Sequence, residues 1–240
     1  MKKKDYKLIK VIIVFFLIIL IISISYLMKD INEYQKNTKL AEVLIERAIL
    51  DIPDTNENHI NWQYLNTVNK DIIGWIQIDG TKINYPILKD NDLYYLKHSY
   101  NNEINSNGSI FTNTERPFNN EETIIYGHNM RNGLMFSEIG NYMYKDFFET
   151  HKNIIIYTPT QNYVGEIFSI YSISINEEIN NIKNLSFKDR VNYYKYKSEF
   201  YINDNNNINK IIKLSTCSYI NAKESPTEQR YYLIAKLNQI

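Results

Sequence analysis

Residues 11–28 constrain this chain more than any other stretch. From Val11 to Met28 the sequence is an almost unbroken apolar run, relieved only by Ser23, Ser25 and Tyr26. A helix of that length, at about 1.5 Å per residue, comes close to crossing a hydrocarbon core of roughly 30 Å. Lys2, Lys3, Lys4, Lys7 and Lys10 precede it. Cations on that side predict a cytoplasmic N-terminus, with everything after Lys29 outside. A cleaved signal peptide is the competing reading. It calls for a shorter apolar stretch and an Ala-x-Ala-like site, whereas the first Ala is Ala41 and the small pair Ser23 and Ser25 lies within the run. The expectation is an uncleaved, single-pass cell-membrane anchor: residues 1–10 form a basic cytoplasmic segment and 11–28 the transmembrane span.

With the anchor set aside, roughly 200 residues remain, enough for one domain with a good-sized core. The chain has 27 Lys plus Arg against 27 Asp plus Glu, a balance with no general pull towards nucleic acid, and none is expected as a partner. Seven Gly and five Pro argue against a collagen-like or low-complexity chain. Cys217 is the only cysteine, so there is no internal disulfide and no paired-cysteine zinc site. An external domain of this kind must rely on its core.

After the span, apolar residues recur near helical spacing at Ile31, Tyr34, Leu40, Val43, Leu44 and Ala48, which predicts a helical stalk. Residues 51–58, with Pro53 among them, read as the first loop. The stalk and linker are therefore placed at 29–58 and the folded domain at 59–240. A short helix is expected around 60–68. The pattern then changes to strands. Runs at 72–78 and 83–88 flank the turn dipeptide Asp79-Gly80. Others follow at 109–112, 123–126, 154–158, 164–175, 211–215 and 231–236. Eight short strands suggest a barrel or sandwich, a mainly β fold, rather than alternating βαβ units. Two helical interruptions are expected, over about 134–149 and 187–200, the second opened by the capping-like Ser186-Phe187-Lys188-Asp189.

A thiol becomes a useful nucleophile where a base or cation favours the thiolate. Cys217 closes the strand Ile211-Ile212-Lys213-Leu214-Ser215-Thr216-Cys217, and a polar stretch follows. Strand-to-loop junctions are where site residues gather, yet a lone Cys is more often a small buried hydrophobe. Both readings stand at this point. His128 follows the strand Thr123-Ile124-Ile125-Tyr126 and a turn-capable Gly127. It could reach a neighbouring strand end and share a proton with Cys217, although a His in isolation is more often structural. No two histidines stand at metal-ligand spacing, so neither a metal nor a cofactor is expected. Arg230 opens the last strand. Its guanidinium could bind a developing oxyanion, or it could be a solvated surface charge. Spacing does not decide.

Taken together, these elements resemble the sortases. Leu214-Ser215-Thr216-Cys217 with an Arg opening a terminal strand is similar to the family signature, as is Tyr126-Gly127-His128-Asn129 on an earlier strand. Gly74-Trp75-Ile76-Gln77-Ile78 with Asn84-Tyr85-Pro86-Ile87 resembles the first two strands. Asp90-Asn91-Asp92-Leu93-Tyr94-Tyr95-Leu96 and Gly108-Ser109-Ile110-Phe111 resemble the segment leading to the His strand. Asn129-Met130, Met135-Phe136, Phe147-Phe148 and the helix near 187–200 are similar to class B in particular. The resemblance covers about residues 72–237. Two departures stand out: Ala235 occupies a position where the family often has Gly, and the stretch from Cys217 to Arg230 is longer than usual for class B.

The resemblance implies an eight-stranded sortase-type β-barrel with N-terminal helices and a helix between strands six and seven. It implies a cysteine transpeptidase of Gram-positive bacteria. Cys217 attacks the carbonyl after Thr in a C-terminal sorting motif, Asn-Pro-x-Thr-x or Pro-x-Thr-Gly-like, of a secreted protein. His128 protonates the leaving amine and Arg230 stabilises the oxyanion. An amine of peptidoglycan, or of its lipid-linked precursor, then resolves the thioacyl enzyme. Ser215, Thr216, Glu224, Leu96 and Tyr95 are the candidate substrate contacts, each weighed against a packing or solvated role. Papain-like and caspase signatures are missing. Two rivals remain: an anchored binding or sensor module with a structural Cys, and a pilin-polymerising sortase, against which Asn238-Gln239-Ile240 leaves no room for a second membrane segment.

Overall fold

The computed structural model describes residues 3–49, 60–200, 207–220 and 227–240. The chain divides into two units, Met1–Leu44 and Ile45–Ile240. The first is a single helix, α1 (Lys3–Ala48), which runs on into the second. Span and stalk are one helix because nothing from Lys29 to Ala48 breaks it; the stretch holds neither Gly nor Pro. Among the described residues, one helix is long and apolar enough to cross a membrane, and its apolar side chains from Val11 to Ile22 are exposed. The predicted loop at 51–58 lies outside the described residues.

The second unit is a closed eight-stranded barrel in the order β1-β2-β3-β4-β7-β8-β6-β5. The strands are β1 (Ile72–Gln77), β2 (Asn84–Lys89), β3 (Ile110–Thr112) and β4 (Glu122–Tyr126), then β5 (Asn153–Tyr157), β6 (Asn162–Ser174), β7 (Ile211–Cys217) and β8 (Gln229–Gln239). All eight fall where the β-rich runs put them, within a few residues at their ends. Closure removes every open sheet edge. Seven strands each contribute an apolar side chain with no exposure at all: Ile76, Ile87, Ile125, Ile156, Ile170, Leu214 and Leu233. Burying each of these contributes about 1.5–3 kcal/mol.

Two of the eight pairings are parallel, β2 with β3 and β4 with β7. In the second, Thr123 lies opposite Ile212 and Tyr126 opposite Ser215. Both strands therefore end at the same rim of the barrel. The antiparallel neighbour β8 begins there, with Arg230 as the register partner of Cys217.

The helices depart from the sequence expectation in two places. The region expected as one helix over 134–149 is a 3-10 helix, Ser137–Met143, followed by α3 (Lys145–Thr150). Tyr144, with φ −102° and ψ 129°, is extended and separates them. An additional helix, α4 (Ile175–Ile182), starts where β6 was expected to finish. Ser174 caps it by accepting a hydrogen bond from the Glu177 amide at 3.2 Å. The expected α5 (Phe187–Lys197) is capped likewise by Ser186, which accepts from the Asp189 amide. The short α2 (Trp62–Val68) forms as anticipated. Helix α5 docks on β4 through Glu122, whose carboxylate accepts from Tyr194 Oη at 2.9 Å and lies 3.1 Å from Arg190 Nε. The latter contact joins charges without hydrogen-bond alignment.

Candidate active site

Side chains along a strand alternate between faces. On β7, Lys213, Ser215 and Cys217 share one face, and on β4 Ile124 and Tyr126 do the same, with His128 two residues further on. All six line a single cavity of about 290 Å³ beneath α4. Arg230, on the adjacent β8, lines it too. The three residues singled out in the sequence are thus brought together by topology. Parallel pairing brings the ends of β4 and β7 side by side, and the antiparallel β8 supplies Arg230 opposite Cys217.

Each of the three is held locally. Cys217 is half-buried with a free thiol. The ladder continues past Tyr126, where the Gly127 amide donates to Ser215 O at 3.2 Å, and one step further Asn129 Nδ2 donates to Cys217 O at 2.8 Å. The His128 ring lies with Nε2 2.8 Å from Leu96 O. A carbonyl only accepts, so Nε2 carries the proton and Nδ1 is the nitrogen left to exchange one. Arg230 donates from one terminal nitrogen to Thr227 O at 2.6 Å and to Gln229 O at 2.9 Å. Among the described residues it makes no ion pair.

The candidate substrate contacts divide. Ser215 and Thr216 are buried and line the cavity; Thr216 Oγ1 has no hydrogen-bond partner among the described residues. Leu96 lines it as well, and its carbonyl holds His128. Tyr95 does not reach it. That ring is buried, its hydroxyl donates to Asp71 Oδ2 at 2.8 Å, and Asn69 Nδ2 donates to it at 2.7 Å. Burial pushes its pKa well up, with the Asn69 bond opposing. Glu224 lies outside the described residues.

Three residues of the site escaped the sequence reading. Asn129 fastens the Cys217 backbone, and its place beside His128 was the available signal. Glu178 and Lys213 form a buried ion pair at the cavity. A lysine in the otherwise apolar run 211–214 was the signal there. Burial pushes the Lys213 pKa down, and Glu178 opposes that shift. Among the described residues no cluster of His, Cys, Asp or Glu is arranged to hold a metal ion.

A family model of the sortase domain matches residues 76–238. The chain is 39% identical over 161 residues to sortase B of Listeria monocytogenes, covering 64% of this chain and 65% of that protein, a little under two thirds of its length. It is 27% identical over 236 residues to sortase B of Staphylococcus aureus, covering 93% of this chain and 94% of that protein. The structure of a Staphylococcus aureus sortase B–substrate complex superposes with a TM-score of 0.69 at 26% identity, over 89% of this chain and 99% of that one. Fold and sequence agree: the chain belongs to the sortase family, whose members are cysteine transpeptidases, and the relatives named here are of class B.

Proposed function

We propose that the chain is a membrane-anchored class B transpeptidase working outside the cell. It cleaves a C-terminal sorting motif of the Asn-Pro-x-Thr-x or Pro-x-Thr-Gly kind after Thr and transfers the acyl part to an amine of peptidoglycan or its lipid-linked precursor. The observation that carries this reading is the meeting of the Cys217, His128 and Arg230 side chains at one cavity. In the first step the Cys217 thiolate adds to the carbonyl carbon of the Thr residue, and Arg230 stabilises the negative oxygen that develops. The tetrahedral adduct collapses as the C–N bond breaks, and His128 gives a proton from Nδ1 to the departing amine. In the second step an acceptor amine adds to the thioester, His128 takes its proton, and the C–S bond breaks to release thiolate and new amide. Protons and bonds balance over the cycle with no cofactor.

Leu96, Ile175, Ile179 and Ile182 give the cavity apolar walls, suited to an extended peptide with small apolar or Pro side chains. The lysines before Val11 support a cytoplasmic N-terminus, residues 11–28 supply the span, and the barrel then lies outside. The test uses the full chain in detergent micelles with a panel of sorting-motif peptides and mass detection of the intermediate. A thioacyl adduct on Cys217 is expected with at least one motif. Cys217→Ala should abolish peptide cleavage with an unchanged circular-dichroism spectrum, and retained turnover would refute the assignment.

A further inference from the structure

Glu178, on α4, is 2% exposed, and Lys213, on β7, is 1% exposed. Donors from three other elements converge on the Glu178 carboxylate. Lys213 Nζ from β7 and Tyr171 Oη from β6, the latter at 2.7 Å, both reach Oε1, and Tyr193 Oη from α5 reaches Oε2 at 3.0 Å. The Lys213 ammonium lies 4.5 Å from the Tyr194 ring centroid and 4.2 Å from that of Tyr232. Two apolar residues of similar volume often stabilise such a position as well as an ion pair does. What the charged pair adds is direction: its bonds admit one placement of α4 over the barrel.

That placement matters at the cavity. Ile175, Ile179 and Ile182, at i, i+4 and i+7, lie on one side of α4 and line the cavity wall. Lys213 is four residues from Cys217 on the same face of β7. The pair therefore links the wall of the groove to the strand carrying the thiol. We propose that Glu178 and Lys213 are positioning residues that fix the spacing between the α4 wall and β7, and with it the width of the groove that receives the peptide preceding the scissile carbonyl. This inference rests on reading the cavity as the acyl-donor site.

The test compares the full wild-type chain in micelles with Glu178→Leu/Lys213→Met, in which both charges go together and neither is left buried alone. The double variant is expected to retain its melting temperature and the rate at which a small reagent alkylates Cys217. Its KM for a sorting peptide should rise about fivefold or more, while kcat changes by less than about twofold. A purely structural role would not produce that split, and an unchanged KM in the folded variant overturns the proposal. If the double variant fails to fold, Tyr171→Phe/Tyr193→Phe keeps both rings and removes two of the three donors. It should raise KM about threefold, and no rise overturns the proposal equally. A wild-type chain that turns over none of the peptides sinks the reading of the cavity itself, which separates that failure from failure of the pair.

Discussion

Arg230 can be exchanged for Lys without altering charge, yet the two offer an oxyanion different things. The guanidinium is planar and has donors to spare after binding Thr227 O and Gln229 O, whereas an ammonium is a mobile point charge. Arg230→Lys should lower kcat/KM by about 10²- to 10³-fold, the usual cost of one oxyanion donor, with the melting temperature within a few degrees of wild type. Near-normal steady-state rates would make Arg230 a surface residue. A second residue acts on His128 from a distance. Gly108 has φ +58°, and a Cβ there would stand 2.6 Å from both Tyr95 O and Leu96 O. Leu96 O is the acceptor that holds the His128 ring. Gly108→Ala should therefore lower kcat more than Gly133→Ala does. Gly133 also has positive φ, at +80°, but a Cβ there meets nothing closer than Lys82 Nζ at 3.6 Å. Backbone strain, roughly 1–3 kcal/mol each, should appear in both melting curves; only displacement of the carbonyl should appear in kcat. Equal activities in the two variants would sever the link from Gly108 to His128.

At the scale of elements, the decisive contact is the parallel pairing of β4 with β7. Its register pairs run to Tyr126 and Ser215, the Gly127 amide adds a bond to Ser215 O, and the Asn129 side chain carries the fastening on to Cys217 O. Asn129→Ala removes one side chain-to-backbone hydrogen bond, worth about 1 kcal/mol. It frees the end of β7 from the His128 loop, so kcat/KM should fall by about tenfold through lost alignment. A urea unfolding curve and steady-state kinetics measure the two effects, and unchanged kinetics would confine Asn129 to a structural role. Strand positions were legible in the sequence because each is a short run rich in Ile, Val, Tyr or Phe set off from its neighbours by polar or turn residues. Helix α4 was not. Its apolar residues, Ile175, Ile179 and Ile182, are few, and Ile175 continues the alternation of β6, so the strand reading absorbed the start of the helix. The Ser174-x-x-Glu177 cap was the signal that should have stopped it. Missing α4 also hid Glu178, since a carboxylate in a polar stretch reads as a solvated charge until the helix is laid over β7. The order of strands around the barrel had no local signature at all. Pairing between distant segments decides it; the strand count suggested a barrel or a sandwich, and the family resemblance chose the barrel.

The whole barrel carries an uneven load of tyrosine, and its alkaline behaviour follows from where those rings lie. Of the 21 tyrosines in the chain, Tyr193 is pushed up to about 12 from an ordinary 10.0, first by burial, with the Asn181 bond opposing and Glu178 adding. Burial likewise raises Tyr100 to about 12 and drives Tyr171 and Tyr194 higher still, with Glu178 and Glu122 respectively adding to the shift. A phenol whose folded pKa is raised keeps a proton that the unfolded chain would release. Its contribution to stability is full below about pH 10 and is lost as pH climbs towards the folded value. The melting temperature should therefore fall steadily between pH 10 and 12. Absorbance near 295 nm should show the cluster around Glu178 ionising only as near-ultraviolet circular dichroism collapses. Because that cluster holds α4 in place, peptide turnover should disappear together with that ionisation. Reversible ionisation of every ring in one step near pH 10, with the dichroism intact, would mean that α4 does not seal these phenols from water.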